Sequence, residues 1–257
     1  MLMRYRAALA ALFFAATAGA QTAAMHVAEG DSASAALNAS AALHHYQAAI
    51  AIDSTDYAAL WKASREAVSL GEFDTSKTQQ KAFYQQGEGY GRRAVKADST
   101  GADGWFALAR AIGRNSLTLG KKERVHFAKE IRDDALTSLK YDSVNAGALH
   151  VMGRWNAEIM RLSGFSRFFA KTFLGGAVFD AASWDSAVVY MNRAVKIEPD
   201  RIVHHLDLGE IYLDRDHQGD KALAREQLTL VVNGTPTEYN DPFYKKQAQQ
   251  QLAKLDK

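Results

Sequence analysis

Apolar residues recur three and four positions apart through Tyr57–Leu70, Ala102–Thr118, Ala146–Ser163 and Ile202–Asp214, with polar residues on the opposite faces. The one strand-like run, Leu228–Val232, falls in the same helical register. The pattern predicts helices near 32–52, 57–70, 78–97, 102–118, 122–141, 146–163, 184–197, 202–214, 220–233 and 242–256, with room for a short one within 165–174. Three prolines in 257 residues, about 1%, leave these helices uninterrupted.

Between helices one motif returns. Ala49-Ile-Ala-Ile-Asp53-Ser54, Ala94-Val-Lys-Ala-Asp98-Ser99, Ser138-Leu-Lys-Tyr-Asp142-Ser143 and Ala194-Val-Lys-Ile-Glu198-Pro199 each run from a small residue to an acid, then to Ser or Pro. A weaker copy spans Val231–Pro236. The acid ends one helix; the next residue either cannot continue it or can cap its successor. Upstream, small residues stand seven apart (Ala42 and Ala49, Ala187 and Ala194, Ala224 and Val231), so both face the same neighbouring helix. The turns are separated by 45, 44, 56 and 37 residues, against about 34 for a tetratricopeptide repeat. The excess falls between the two helices of a repeat, at 71–77, 117–122 and 164–183. The expected fold is all-α: a tetratricopeptide-like helical-repeat solenoid with insertions between the helices of the repeats and a C-terminal capping helix.

Residues 1–20 read as a signal peptide: Arg4 and Arg6, an apolar run from Ala7 to Ala18, then Ala18-Gly19-Ala20 before Gln21. The expected organisation is therefore a leader (1–20), a flexible segment (21–31) and the repeat domain (32–257). The expected location is exported, periplasmic or secreted, with no stable membrane insertion after cleavage. The chain has 31 Lys+Arg and 29 Asp+Glu. The leader holds two of the arginines and no acid, so the mature chain is neutral and nucleic acid is not an expected partner. The absence of cysteine excludes disulfides, thiolate metal sites and Cys nucleophiles.

The stretch His150-x-x-Gly153-Arg154-Trp155-x-x-Glu158 resembles that of the regulator of microtubule dynamics protein family. The similarity continues through Leu162-Ser163-x-Phe165, Phe173-Leu174-Gly175, the repeat Trp184–Pro199 and Leu208-Gly209, covering roughly 90–233. The resemblance implies a tetratricopeptide-like fold. The family name implies tubulin association in a cytosolic or organelle-facing location; for exported bacterial relatives, which the leader suggests, it implies a fold and no known activity.

His150, Arg154 and Glu158 are spaced by four and share a helix face. They could form a polar triad for a ligand, or Arg154 could pair with Glu158 and reach a neighbouring helix; Gly153 and Trp155 read as packing residues. The insertion carries Phe165, Phe168, Phe169, Phe173 and Phe179, five in fifteen residues, the first four at helical spacing. It could fill the concave face, act as a lid over an apolar ligand, or bind a partner.

Catalytic motifs are missing: there is no G-x-S-x-G, H-E-x-x-H, phosphate loop or dinucleotide fingerprint. Asp214–Gly219 mimics the start of a calcium loop, but the twelfth position is Arg225. His44-His45 and His204-His205 are adjacent pairs pointing about 100° apart, which does not grip one metal. Asp207 and Glu210 read as solvated. The sequence thus points to a non-enzymatic scaffold, without cofactor or metal, that binds a protein or peptide. The alternative is a lipid or small apolar ligand module with 164–183 as lid.

Overall fold

The computed structural model describes residues 22–162 and 177–256, and among them every regular element is helical. In chain order these are α1 (22–35), α2 (Ala39–Ile52), α3 (Tyr57–Glu72), α4 (Lys77–Ala97), α5 (Ala102–Ser116), α6 (Lys121–Tyr141) and α7 (Ala146–Met160). They continue with α8 (Trp184–Ile197), α9 (Ile202–Arg215), α10 (Asp220–Asn233) and α11 (Asp241–Leu255), with a single turn at Ala177–Asp180 before α8. The starts expected at 57, 102, 146, 184, 202 and 220 are the observed ones. Leu228–Val232 is helical, within α10. The leader lies outside the described residues, as do Phe165, Phe168, Phe169 and Phe173.

The four turns repeat in atomic detail. The N–H groups of Asp53, Asp98, Asp142 and Glu198 donate to the carbonyls of Ala49, Ala94, Ser138 and Ala194, each at 2.9 Å. The carbonyl of each acid then accepts the N–H three residues on, from Asp56, Gly101, Asn145 and Arg201. In the first three turns the carboxylate also accepts the N–H two residues on, from Thr55, Thr100 and Val144, an Asx-turn. The serines are not the caps expected of them. Asp56 and Asn145, two residues later, accept from Ala59 and Ala148 at the next helix starts.

The small residues seven apart are fully buried. At the α7–α8 seam a Cβ on Gly153 would lie 2.9 Å from Met191 Cε and 3.3 Å from the Ala187 carbonyl, so the glycine lets these helices pack closely without displacing Met191. The first helices of successive pairs, α3, α5, α7 and α9, touch in order and form an inner wall, while α4, α6, α8 and α10 lie outside.

The two ends differ from expectation. The helix expected over 32–52 is broken at Leu37, whose φ is 59°, and Asn38 caps α2. Residues 22–31, expected to be flexible, form most of α1. That helix is tied down by Asp31, which accepts from Tyr46 Oη (2.7 Å) and Lys62 Nζ (2.6 Å), and by Ser34 donating to Glu66 (2.9 Å). At the other end the helix expected from 242 starts at Asp241 behind the cap residue Asn240, and the Asp241 carboxylate accepts backward from the Thr237 and Glu238 N–H groups. Asn240 also donates to the Ser69 carbonyl on α3 (3.1 Å), and Phe243 stacks on Phe73 with centroids 4.6 Å apart. The last helix therefore meets the second helix pair, and the concave face becomes a chamber. No helix among the described residues is long and apolar enough to cross a membrane.

Candidate functional site

The chamber lies between α5, α6, α7 and α9, with α11 at its end, and has a volume of about 360 Å³. One wall is apolar: Phe106, Ala128, Ile131, Val151, Trp155 and Ile159. Trp155 is fixed there by its Nε1–H, which donates to the Ala128 carbonyl at 2.7 Å. The other wall is ionic and is built from two facing helices. Helix α7 presents His150, Arg154, Glu158 and Arg161, one residue per turn; α9 adds His204 to the lining and backs the row from behind with Asp207, Glu210 and Asp214.

Asp207 is the centre of this wall. Its two oxygens lie 2.6 Å from Arg154 Nη1 and 2.8 Å from His150 Nε2. Burial alone would raise the Asp207 carboxyl; Arg154, and then His150, overcome it and hold the group far below the usual carboxylate range. Asp207, in turn, holds the Arg154 guanidinium well above its ordinary value. The sequence expectation that Asp207 is solvated is corrected: it is 4% exposed, because its partners arrive from a helix 53 residues upstream. Glu210 is largely buried as well, accepting from Gln247 and Gln251 at 2.6 Å each. Burial and the neighbouring Asp207 raise its carboxyl.

A chain of imidazoles continues from this centre. His150 Nδ1 lies 2.8 Å from His204 Nδ1, and His204 Nε2 lies 3.0 Å from Glu198 Oε2. From Asp207 to Glu198 there are three contacts that each need a proton, and two neutral imidazoles supply two. Burial lowers both histidines, His204 to about 4, so the third proton arrives only in acid. Glu198 is drawn down to about 2, first by its bond from His204. Nearby, Arg201 reaches Glu238 at 2.6 Å and Arg114 reaches Glu72 at 2.6 Å.

Of the candidate residues, the structure brings His150, Arg154 and Glu158 together on the chamber wall. Arg154 does contact Glu158, at 3.3 Å, and it also crosses to α9. The four phenylalanines at 165, 168, 169 and 173 fall outside the described residues. The fifth, Phe179, is buried in the cluster that holds Trp155 and Ile159. Sequence reasoning missed Arg110, Arg114, Arg201, Glu198, His204 and Glu238. A signal existed for Arg110. Arg65, Arg110 and Arg154 are separated by 45 and 44 residues, the spacing of the turns, and so occupy one repeat position on three successive inner helices.

The sequence pattern of the family described as Regulator of microtubule dynamics protein 1-3 matches residues 25–256. The chain belongs to this family. Regulator of microtubule dynamics protein 1 of Bos taurus is 24% identical over 165 residues, 63% of this chain and 51% of that protein. The chain thus spans about half the length of that curated relative. Among solved structures, a thermophilic tetratricopeptide-repeat protein of Thermus thermophilus superposes with a TM-score of 0.61 at 15% identity, covering 89% of this chain and 99% of that one. That likeness shows the tetratricopeptide-type fold. In this regulator of microtubule dynamics family member, the His150–Glu158 stretch that carries the resemblance is the chamber-facing side of α7.

Proposed function

We propose that the protein is a non-enzymatic binding scaffold whose chamber holds a small ligand with an apolar body and an acidic group. The division of the chamber carries this reading: an aromatic and aliphatic side faces six arginines from α5, α6, α7 and the start of α9. Most of them are already paired with carboxylates such as Glu72, Asp207, Asp214 and Glu238, so an acidic ligand group would share these guanidinium groups. A cavity of this size suits a small molecule, and guanidinium groups suit a carboxylate or phosphate. The histidines are engaged with Asp207, Glu198 and each other, which leaves the guanidinium groups as the chamber's polar contacts for a ligand. Beside the chamber, Leu162 lines the apolar side and Phe179 packs with Trp155. Arg4, Arg6 and the Ala18-Gly19-Ala20 site support an exported location, and the reading assigns no tubulin partner.

A second reading, a seat for a segment of a partner protein, draws on one observation. The chain's own irregular segment 234–240 already lies against the inner wall, with Glu238 on Arg201. Native mass spectrometry of the protein from its own host, before and after mild organic extraction, separates the two. The ligand reading expects a bound species lost on extraction. It also expects the extracted protein to bind a medium-chain fatty acid about tenfold or more tighter than the matching alcohol, a difference of about 1.4 kcal/mol. A bare mass and no binding of either compound reject it in favour of a protein partner.

A further inference from the structure

A separate polar cluster sits at the other end of the stack, where α1 folds back on α2. His26 and Glu29 stand three apart on α1, and His45 meets them from α2. Glu29 Oε2 is 3.1 Å from His26 Nδ1 and 3.1 Å from His45 Nδ1, and the three ligating atoms all lie within 4.8 Å of one another. Around a tetrahedral ion bound at ~2.0–2.1 Å, neighbouring ligand atoms stand about 3.3 Å apart. The carboxylate is therefore at ligand spacing from both rings.

The alignment is as informative as the distances. His45 Nδ1 is shut off from solvent and has no hydrogen-bond partner, although a Glu29 oxygen lies 3.1 Å away. The pair therefore stands at ligand spacing with no hydrogen bond linking it. A buried nitrogen left without a partner also asks for a physical reason.

The backbone around the cluster is fixed by packing. Gly30, next to Glu29, lies against Tyr46, next to His45; a Cβ at position 30 would collide with the Tyr46 ring. Tyr46 is fully buried, and its hydroxyl donates to Asp31, which also holds Lys62. Contacts on either side of the ligands thus set the distance between α1 and α2. All three ligand side chains retain some exposure, so an ion has a route in and a place for water as fourth ligand.

We propose that His26, Glu29 and His45 form a binding site for a divalent ion of the zinc type, which staples α1 to α2. Two imidazoles and one carboxylate with an open position suit Zn²⁺ and exclude the hard ions Mg²⁺ and Ca²⁺, which prefer all-oxygen sites. His44 is not a ligand: it is exposed at the neighbouring helix position and stands outside the group of converging ligand atoms.

The test uses the purified chain without an affinity tag, stripped with EDTA. Zn²⁺ is titrated against a chromophoric chelator, Co²⁺ is followed by its visible absorption, and circular dichroism checks that each variant is folded. The expected result is one equivalent with Kd of about 1 µM or tighter. His26→Ala and His45→Ala should weaken it by about 100-fold, and His44→Ala should leave it unchanged. Zn²⁺ should raise the Tm of the wild-type chain and of H44A, and leave that of H45A where it was. Failure of the folded wild-type chain to bind Zn²⁺ overturns the proposal, as does a full equivalent retained at unchanged affinity in both H26A and H45A.

Discussion

Carboxylates stand at the turn edge of this stack and on its inner wall, and the two places use them in opposite ways. At the turns Asp53 is exposed and Asp98 and Asp142 are half-exposed, and each accepts an N–H group two residues along the chain. On the inner wall Asp207 is out of water and is held by Arg154 and His150 from another helix. The turn bond competes with solvent at every moment, so it shapes the backbone and adds little stability. The buried pair has no solvent to fall back on, so each partner depends on the other. Regularity along the stack comes from many weak local bonds, and the identity of the chamber from a few strong distant ones.

The contrast is broken most severely at Asp207. Asp207→Ala leaves a guanidinium beside a histidine in a buried site and is expected to cost about 3–5 kcal/mol in urea unfolding. Replacing both partners, Arg154→Met with Asp207→Leu, should cost clearly less than the sum of the single losses; simple additivity would show that the pair is not coupled.

Acid sharpens the same contrast. His204 has a folded value of about 4 against an ordinary 6.5, and burial lowers His150 as well. Above pH 6.5 both states are neutral at these rings. As the pH falls from 6.5 toward 4 the unfolded chain takes up protons that the folded chain refuses, and stability drops. The contribution lost from these rings over that window is on the order of 2–3 kcal/mol. It is read as the difference between wild type and ring variant, because buried Asp134, pushed up to about 7, works in the opposite direction. A His150→Gln, His204→Gln double variant should show a flatter profile between pH 6.5 and 4. The smallest effect belongs to the turns. Asp53→Ala should change urea stability by no more than about 0.5 kcal/mol, and a loss as large as that of Asp207→Ala would erase the distinction.

These distances along the chain also explain what can be read from residues alone. The turns, the helix starts and the buried small residues depend on neighbours within about two helical turns, and they are legible. The break at Leu37 is not, because the alanine-rich stretch around it has neither glycine nor proline to mark a left-handed residue. Asp207 looks like an ordinary surface acid, since its partners lie on α7. His150, Arg154 and Glu158 are found by their spacing on one helix. The row Arg65, Arg110, Arg154 is present in the repeat register and becomes visible only once α3, α5 and α7 stand side by side. His45 reads as an unlikely ligand because its neighbour His44 cannot share an ion with it. The residues that approach it, His26 and Glu29, lie in a segment expected to be flexible.

The bond from Asn240 to Ser69 joins residues 171 positions apart. An open solenoid can grow from one end, each repeat settling on the one before. Here the inner wall is complete when α9 is in place, yet its closing contacts wait for α11. During synthesis, which runs N-terminus first, the chamber therefore passes through a stage with three sides built and the fourth still to come. If the chamber holds the proposed ligand, docking of α11 is the last step of its enclosure and loosening of α11 the first step of its release.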